Sequence, residues 1–140
     1  KRVLAPEYGG DGHKTGDCSG YSQPLLSFPG QWAPEAVLVY SGKLFPAVYR
    51  DGAFVSFHGS WNRAPLPQAG YKVVFVPFNG MRPTGGYQVF ADGFAGEMPI
   101  LSTGSAHFRP MGLAQGPDGA LYVDDTQHGR IWRVIYIGKH

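Results

Sequence analysis

The sequence predicts an all-β chain built from short strands, and three observations support this class. Apolar runs of five to eight residues, bounded by Gly, Pro, Asp or Asn, recur along the 140 residues. No stretch of ten or more residues has the spacing of an amphipathic helix. The 21 Gly and 12 Pro residues supply frequent turns, while a hydrophobic fraction of 43% argues against a disordered chain.

Seven strands are predicted in chain order, in a group of four followed by a group of three. The predicted strands cover residues 36–40, 53–58, 71–78 and 87–91, then 111–115, 121–124 and 130–137. Asp-Gly or Asn-Gly dipeptides, which accept the positive φ angles of tight turns, stand at 51–52, 79–80, 92–93 and 118–119. The run KVVFVPF is apolar on both faces, which indicates a sheet covered on both sides.

Two segments of different character are predicted. Residues 1–30 form a loop-rich segment, because they are rich in Gly and polar residues and show no period. Residues 31–140 hold the strand groups, each about the length of one β-propeller blade. The second group has three strands, so its fourth, closing strand is predicted to come from outside this segment. Two blades cannot close a ring that needs roughly four to eight, so the sequence predicts the C-terminal part of a larger propeller.

Composition restricts the partners. The net charge of +2 comes from 12 basic and 10 acidic residues spread along the chain, which predicts neither a nucleic-acid partner nor an anionic membrane surface. No window approaches the ~20 apolar residues of a membrane helix. Cys18 is the only cysteine, so an internal disulfide is excluded, and a free inert thiol and a bond to another chain both stay open. The chain begins at Lys1 rather than Met, as a processed or truncated polypeptide would.

The segment FVSFHGSWNR, residues 54–63, ends in a cluster of functional groups. Ser60 near His58 lacks the G-x-S-x-G elbow and the following helix of a hydrolase. Asp124 and Asp125 are adjacent and therefore point to opposite faces of a strand, so one is predicted to cap a turn and the other to face solvent. The sequence has no G-x-G-x-x-G, no P-loop and no zinc-ligand spacing.

Three blocks, LFPAVYRDGAFVSFHGSWNR, GYKVVFVPF and RPMGLAQGPDGALYVDDTQHGRIWRV, resemble the glucose/sorbosone dehydrogenase family over residues 32–136, most closely its bacterial L-sorbosone dehydrogenase-like branch. The resemblance implies a six-bladed β-propeller, with this chain as about its last two blades. It also implies a PQQ-dependent sugar dehydrogenase, a quinoprotein oxidoreductase that passes hydride from sorbosone or an aldose to the quinone. Its location would be periplasmic or secreted.

The cofactor implied by the resemblance is PQQ, a planar quinone with three carboxylates, which calls for guanidinium groups and an aromatic face. Arg109 occupies the position of a family arginine that contacts PQQ. Asn62 falls where a related glucose dehydrogenase has a PQQ-contacting lysine, although it brings no charge. Trp61 would stack on the cofactor or line the sugar pocket, Arg63 would reach a carboxylate, and His58 would lie in the pocket.

Gln31 and Trp32 are predicted in the substrate pocket, because they stand where many relatives carry a histidine before an aromatic or small residue. The departure at Gln31 alters substrate preference or is neutral. The family's catalytic histidine and the carbonyls that hold its Ca²⁺ belong to earlier blades, so the chain alone is expected to be inactive, with no catalytic residue and no metal ligand. The implied partners are the remaining blades, a sugar or sugar-aldehyde substrate, and a cytochrome or quinone electron acceptor.

Structural alternatives stand beside these roles. Arg109 and Arg63 could form structural ion pairs, Trp61 could pack between sheets, and His58 could be structural. Exposed positions are predicted for the other histidines: His13, His107, His128 and His140. For the whole chain, the alternative to an enzyme is a non-catalytic β-propeller module that binds a ligand or takes part in assembly.

Overall fold

The computed structural model describes residues 3–17 and 19–138. Within these ranges all strands pair antiparallel and form two sheets, joined by loops and three short 3-10 helices. This confirms the predicted all-β class. Lys1, Cys18 and His140 lie outside the described residues, and so do the predictions about the thiol and about the exposure of His140.

All seven predicted strands are present, together with one further strand of two residues. The strands are β1 Pro34–Tyr40, β2 Gly52–Phe57, β3 Lys72–Asn79, β4 Arg82–Pro83, β5 Gln88–Ala91, β6 Pro110–Gln115, β7 Leu121–Asp125 and β8 Ile131–Val134. The prediction that the last strand continues to residue 137 is wrong. Val134 pairs with Leu121, the first residue of β7, so the residues after Val134 have no β7 partner and leave the sheet.

The first sheet has the order β1-β2-β3, and β3 also pairs with both β4 and β5. Its register places Phe54 opposite Phe75 across β2 and β3, and Val55 opposite Val37 across β2 and β1. The second sheet has the order β6-β7-β8, with Leu113 opposite Val123. β8 is the last strand of this sheet within the described chain, so one of its edges has no strand partner there.

The predicted turn dipeptides use glycine in two ways. Gly80, Gly93 and Gly119 each have a positive φ, between 60° and 86°, as the turn interpretation requires. At the fourth dipeptide Asp51 itself takes the positive φ of 52°, and Gly52 begins β2. A Cβ at Gly52 would lie 2.3 Å from a backbone oxygen of β3, so glycine is needed there for close approach.

A buried apolar core lies between the two sheets. Its fully covered members are Tyr40, Phe45, Phe54, Val73, Phe75, Leu121 and Val123. Phe54 has an exposed fraction of 0%, and its ring centroid lies between 4.6 and 5.9 Å from four other aromatic rings. The Tyr40 hydroxyl also donates a 2.7 Å hydrogen bond to the carbonyl of Gly119. The sheets therefore pack face to face, with the core between them.

A second apolar cluster covers the opposite face of the first sheet. Its buried members are Val55, Phe57, Val74 and Val76, and the side chains packed on them include Leu26, Phe28, Trp32 and Tyr87. Part of the loop-rich N-terminal segment is thus held against the sheet. Because both faces are covered, all six residues of β2 are buried, and so are residues 73–76 of β3, as the KVVFVPF pattern predicted.

Other faces of the sheets remain open. Val37 and Val39 of β1 are each 69% exposed, and Ile131 of β8 is 71% exposed. In residues 3–17 and 19–138 the sheets do not close into a ring. In the same ranges, no helix has the length and apolar character needed to cross a lipid bilayer.

Replacing Phe54 by Ala in the intact protein is expected to lower the free energy of unfolding by about 3 to 5 kcal/mol, because a fully buried ring would leave a cavity between the sheets. Met81, which is 91% exposed, provides the control. Met81→Ala should change the free energy of unfolding by less than about 0.5 kcal/mol. Urea unfolding measures both variants. Equal losses would contradict the assignment of the core.

Candidate functional site

The candidate site lies where the ends of three strands meet, and its central residues are called the loop cluster: His58, Ser60, Arg109, Asp125 and Thr126. β2 ends one residue before His58, β6 begins one residue after Arg109, and β7 ends at Asp125. Antiparallel pairing of Pro110 with Asp125 brings the start of β6 and the end of β7 to one edge.

Arg109 is anchored inside this cluster through one end of its guanidinium. Nη2 donates to the Ser60 carbonyl at 2.8 Å and lies 3.4 Å from the Tyr71 hydroxyl, and Cζ stands 5.4 Å from the Tyr71 ring centroid. Nε is buried, and no group among the described residues serves as its hydrogen-bond partner. In the described residues Arg109 pairs with no carboxylate, so its contacts there differ from a structural salt bridge.

Ser60 is the residue around which the loop is organised. It is fully buried, and its carbonyl accepts hydrogen bonds from the Tyr71 hydroxyl at 2.8 Å and from Arg109. Its hydroxyl donates to Gln68 and accepts from the backbone N–H of Ala69, both at 2.8 Å. The hydroxyl is therefore held by the loop and not by His58, in keeping with the rejection of a hydrolase site.

Gly59 makes this arrangement possible. Its φ is 91°, and a Cβ at this position would lie 2.1 Å from the Tyr71 ring. The sequence contains Gly between His58 and Ser60 because the backbone passes directly against that ring. The roles of Ser60 and Tyr71 were not predicted, and the glycine was the one local sign of a close approach.

His58 connects the end of β2 to the turn that follows β7. Its Nε2 lies 2.8 Å from the Thr126 hydroxyl oxygen, and the ring is half-buried. Burial lowers the pKa of His58 below its ordinary value of 6.5, and the positive charge of Arg109 lowers it further. Glu35 and Asp125 oppose this effect without outweighing it. The ring is therefore held neutral over a wider pH range than a free histidine.

Asp125 caps the turn after β7. Its carboxylate accepts backbone N–H groups from Arg109 at 2.7 Å, Gln127 at 3.1 Å and His128 at 2.6 Å. Burial acts to raise the pKa of Asp125, but these hydrogen bonds together lower it below the ordinary value. Asp124 is exposed and accepts the N–H of Gly112. The structure thus confirms the prediction of one turn-capping and one solvent-facing aspartate.

The three residues after Ser60 lead away from the sheet. Trp61 is 71% exposed, Asn62 is exposed, and Arg63 is half-buried. Trp61 therefore does not fill the space between the two sheets. Arg63 forms no ion pair with a carboxylate among the residues that the structure describes.

Of the two residues predicted in the substrate pocket, Trp32 contacts the site loop through its backbone. The carbonyl of Trp32 accepts the N–H of Gly59 at 3.1 Å, while its indole packs on Phe57 with ring centroids 5.2 Å apart. This indole belongs to the second apolar cluster and lines a small cleft of about 110 Å³ beside Lys72. Gln31 is exposed, with a φ of 66°.

The remaining titratable groups lie apart from the loop cluster or at its rim. His13, His107 and His128 are exposed, as predicted. Within residues 3–17 and 19–138, His, Cys, Asp and Glu side chains form no group of three or more that could hold a metal ion. The loop cluster therefore offers a positive guanidinium, a neutral imidazole, a hydroxyl and the Asp125 carboxylate, which already accepts three backbone N–H groups. Exposed amide and indole groups lie beside them.

Lowering the pH through about 6.5 is expected to reduce the free energy of unfolding, because the pKa of His58 is lower in the folded than in the unfolded chain. The unfolded chain then takes up the proton first. The loss of stability begins near the pKa of His58 in the unfolded chain and is complete below its pKa in the folded chain. His58→Gln should remove this part of the pH dependence, whereas His13→Gln should keep it. Denaturant titrations of the intact protein at several pH values measure the effect; parallel curves for wild type and His58→Gln would contradict it.

Comparison with known proteins gives a match over nearly the whole chain. Residues 7–136 match the family described as TrAA12-like. A protein of Borreliella burgdorferi (strain ATCC 35210 / DSM 4680 / CIP 102532 / B31), described as an uncharacterized protein, is 29% identical over 113 residues. The alignment covers 80% of this chain and 28% of the relative, so this chain spans little more than a quarter of that protein's length. No solved structure matches.

The family match corrects the resemblance drawn from the three sequence blocks. The glucose/sorbosone dehydrogenase assignment is wrong, because the match is to a different family. The PQQ-dependent sugar or aldehyde dehydrogenase function, the oxidoreductase class and the quinoprotein description were implied by that assignment and are withdrawn with it. The blocks carry turn glycines and buried strand residues, which many sheets require. By its match over residues 7–136, the chain belongs to the TrAA12-like family.

Proposed function

We propose that this chain is a binding module: two neighbouring blades of a larger β-propeller, whose loop cluster forms one wall of a site for a small anionic ligand. The proposal concerns binding and includes no reaction. It keeps the ligand-binding alternative that the sequence left open.

The blade part of the proposal is supported by how the sheets pack. The first sheet presents a path of strands from β1 to β3 with β5 beyond them, and the second presents three strands. They pack face to face through an aromatic core, as neighbouring blades do. The free edge of β8 would receive a fourth strand, and the open faces at Val37 and Ile131 would pack on further blades. The relative from Borreliella burgdorferi is long enough to contain further blades, because the alignment covers 28% of its length.

The anion-binding part rests on one observation: the half-buried guanidinium of Arg109 pairs with no carboxylate among the described residues. Its Nε is enclosed by protein, and both of its side-chain hydrogen bonds within the described chain use Nη2. Nη1 has no hydrogen bond there and is not among the buried atoms without a partner, so it is the nitrogen available to an acceptor from outside. A carboxylate accepts strong, charge-assisted hydrogen bonds from such a group.

The surroundings favour a planar ligand with more than one carboxylate. The exposed indole of Trp61 follows the anchored Ser60 and offers a face for stacking. Asn62 and the half-buried Arg63 offer further donors on the same loop. PQQ is one molecule of this class, and PQQ with Ca²⁺ bound outside this chain stays a prediction. The predicted partners and the periplasmic or secreted location likewise stay predictions.

Titration of the intact protein with the aromatic tricarboxylate trimesate, and separately with PQQ, tests the site. Arg109→Ala is expected to weaken binding about 10- to 100-fold, because it removes charge-assisted hydrogen bonds. Arg109→Lys keeps the positive charge but replaces the planar guanidinium by an ammonium group. Its affinity should therefore lie between those of Arg109→Ala and the wild type. Calorimetry or equilibrium dialysis gives the affinities.

Arg82 is exposed on the two-residue strand β4, and Arg82→Ala is the matched control, which should bind as the wild type does. Melting curves check that each variant is folded. Equal affinities for folded Arg109→Ala and Arg82→Ala, or no binding by the wild type, would overturn the anion site.

The 140-residue chain produced alone is expected not to melt as a cooperative monomer, because the edge of β8 and the apolar residues Val37, Val39 and Ile131 would remain exposed. Sedimentation should show association or aggregation, and an apolar dye should bind. The intact protein is the control and should give one cooperative transition. A monomeric chain with a sharp melting transition would contradict the blade proposal.

A further inference from the structure

His58 is the titratable ring that stands beside Arg109 in the loop cluster. Its backbone N–H donates to the Ala33 carbonyl at 2.9 Å, which fixes the residue at the end of β2. Its Nε2 lies 2.8 Å from the Thr126 hydroxyl oxygen in the turn after β7. The ring is therefore held at the edge where the two sheets meet, next to the guanidinium assigned to the anion.

Three charged groups act on this ring, one from each neighbouring part of the fold. Arg109, before β6, is positive, while Glu35 of β1 and Asp125 of β7 are negative. Asp125 already accepts three backbone N–H groups, and Glu35 is exposed to solvent. Neither carboxylate is thus placed to neutralise a second positive charge as fully as a ligand in direct contact would.

We propose that binding of an anion at the loop cluster is coupled to uptake of one proton by His58, so that the site holds its ligand more tightly as the pH falls. The inference rests on the proposed function and deepens it by naming how the site is regulated. The proton comes from solvent and attaches to the unprotonated ring nitrogen, with no other bond made or broken.

The coupling follows from the charges around His58. In the empty site a protonated His58 would stand beside Arg109, and the two positive charges repel each other. A bound anion offsets that repulsion by attracting both groups. In the ligand-free chain burial lowers the pKa of His58, and the charge of Arg109 lowers it further, as the repulsion requires. By linkage, an anion that raises the affinity for the proton is itself bound more tightly when the proton is present.

Protonation of His58 also changes the hydrogen bond that its ring makes with Thr126. A neutral imidazole can donate or accept at Nε2, whereas a protonated ring can only donate. The Thr126 oxygen must then accept from His58, and its hydroxyl hydrogen is directed elsewhere. For the tautomer in which the neutral ring accepts from Thr126, protonation thus releases that hydrogen to a ligand oxygen.

Calorimetric titration of the intact protein with trimesate at several pH values tests the coupling. Trimesate suits the purpose because carboxyl groups with pKa values of about 4 stay ionised from about pH 6 to about pH 8. Affinity should rise about three- to tenfold over that fall in pH, since a shift of one pKa unit corresponds to a factor of about ten. Repeating the titration near pH 7 in two buffers of different ionisation enthalpy should show net proton uptake.

His58→Gln keeps a hydrogen-bonding side chain but cannot titrate, and it should bind trimesate with little pH dependence and no proton uptake. His13→Gln removes an exposed histidine of the N-terminal segment and should behave as the wild type. Arg109-dependent binding without proton uptake, or with uptake that survives His58→Gln, would overturn this inference and leave the anion site standing. No binding by the wild type would overturn both.

Discussion

Burial of β2 on both faces is the constraint on which the rest of the structure depends. One face contributes Phe54 to the core between the sheets, and the other contributes Val55 and Phe57 to the second apolar cluster. A slip of one residue would exchange these faces, placing Ser56 where Val55 or Phe57 now packs. The register of β2 is therefore fixed, and with it the point at which the chain leaves the sheet at His58.

Burial of β2 on both faces places a hydrogen-bonding requirement on the loop that follows it. The chain must leave a covered sheet while its backbone groups still find partners, because an unpaired buried carbonyl is costly. The Ser60 carbonyl is satisfied by Tyr71, the residue before β3, and by Arg109, the residue before β6. Arg109 consequently donates to the fold through Nη2, while its charge meets no carboxylate among the described residues. One side chain thus joins the fold to the proposed binding site.

Local features of the sequence were predictable, and features that depend on distant partners were not. Apolar runs and Asp-Gly or Asn-Gly dipeptides predicted the strands, because both signals lie within a few residues. The end of the last strand at Val134 was missed, since it depends on where β7 begins. The fold brings His58 and Arg109 to the same edge, and their shared role in a binding site stays a prediction. The partners Ser60 and Thr126 were missed, because their contacts join residues 49 and 68 positions apart.

The mistaken family assignment has a related physical origin. In the block around GPDGALYV, Gly119 supplies a positive φ, Leu121 and Val123 fill the core between the sheets, and Asp125 caps the following turn. Each residue type is required by a turn or a covered strand, whichever ligand the protein binds. A shared block of this kind therefore carries information about sheet packing rather than about chemistry. The residues that distinguish one binding site from another are those with unmet hydrogen-bonding capacity, and in the described part of the chain that description applies to the guanidinium of Arg109.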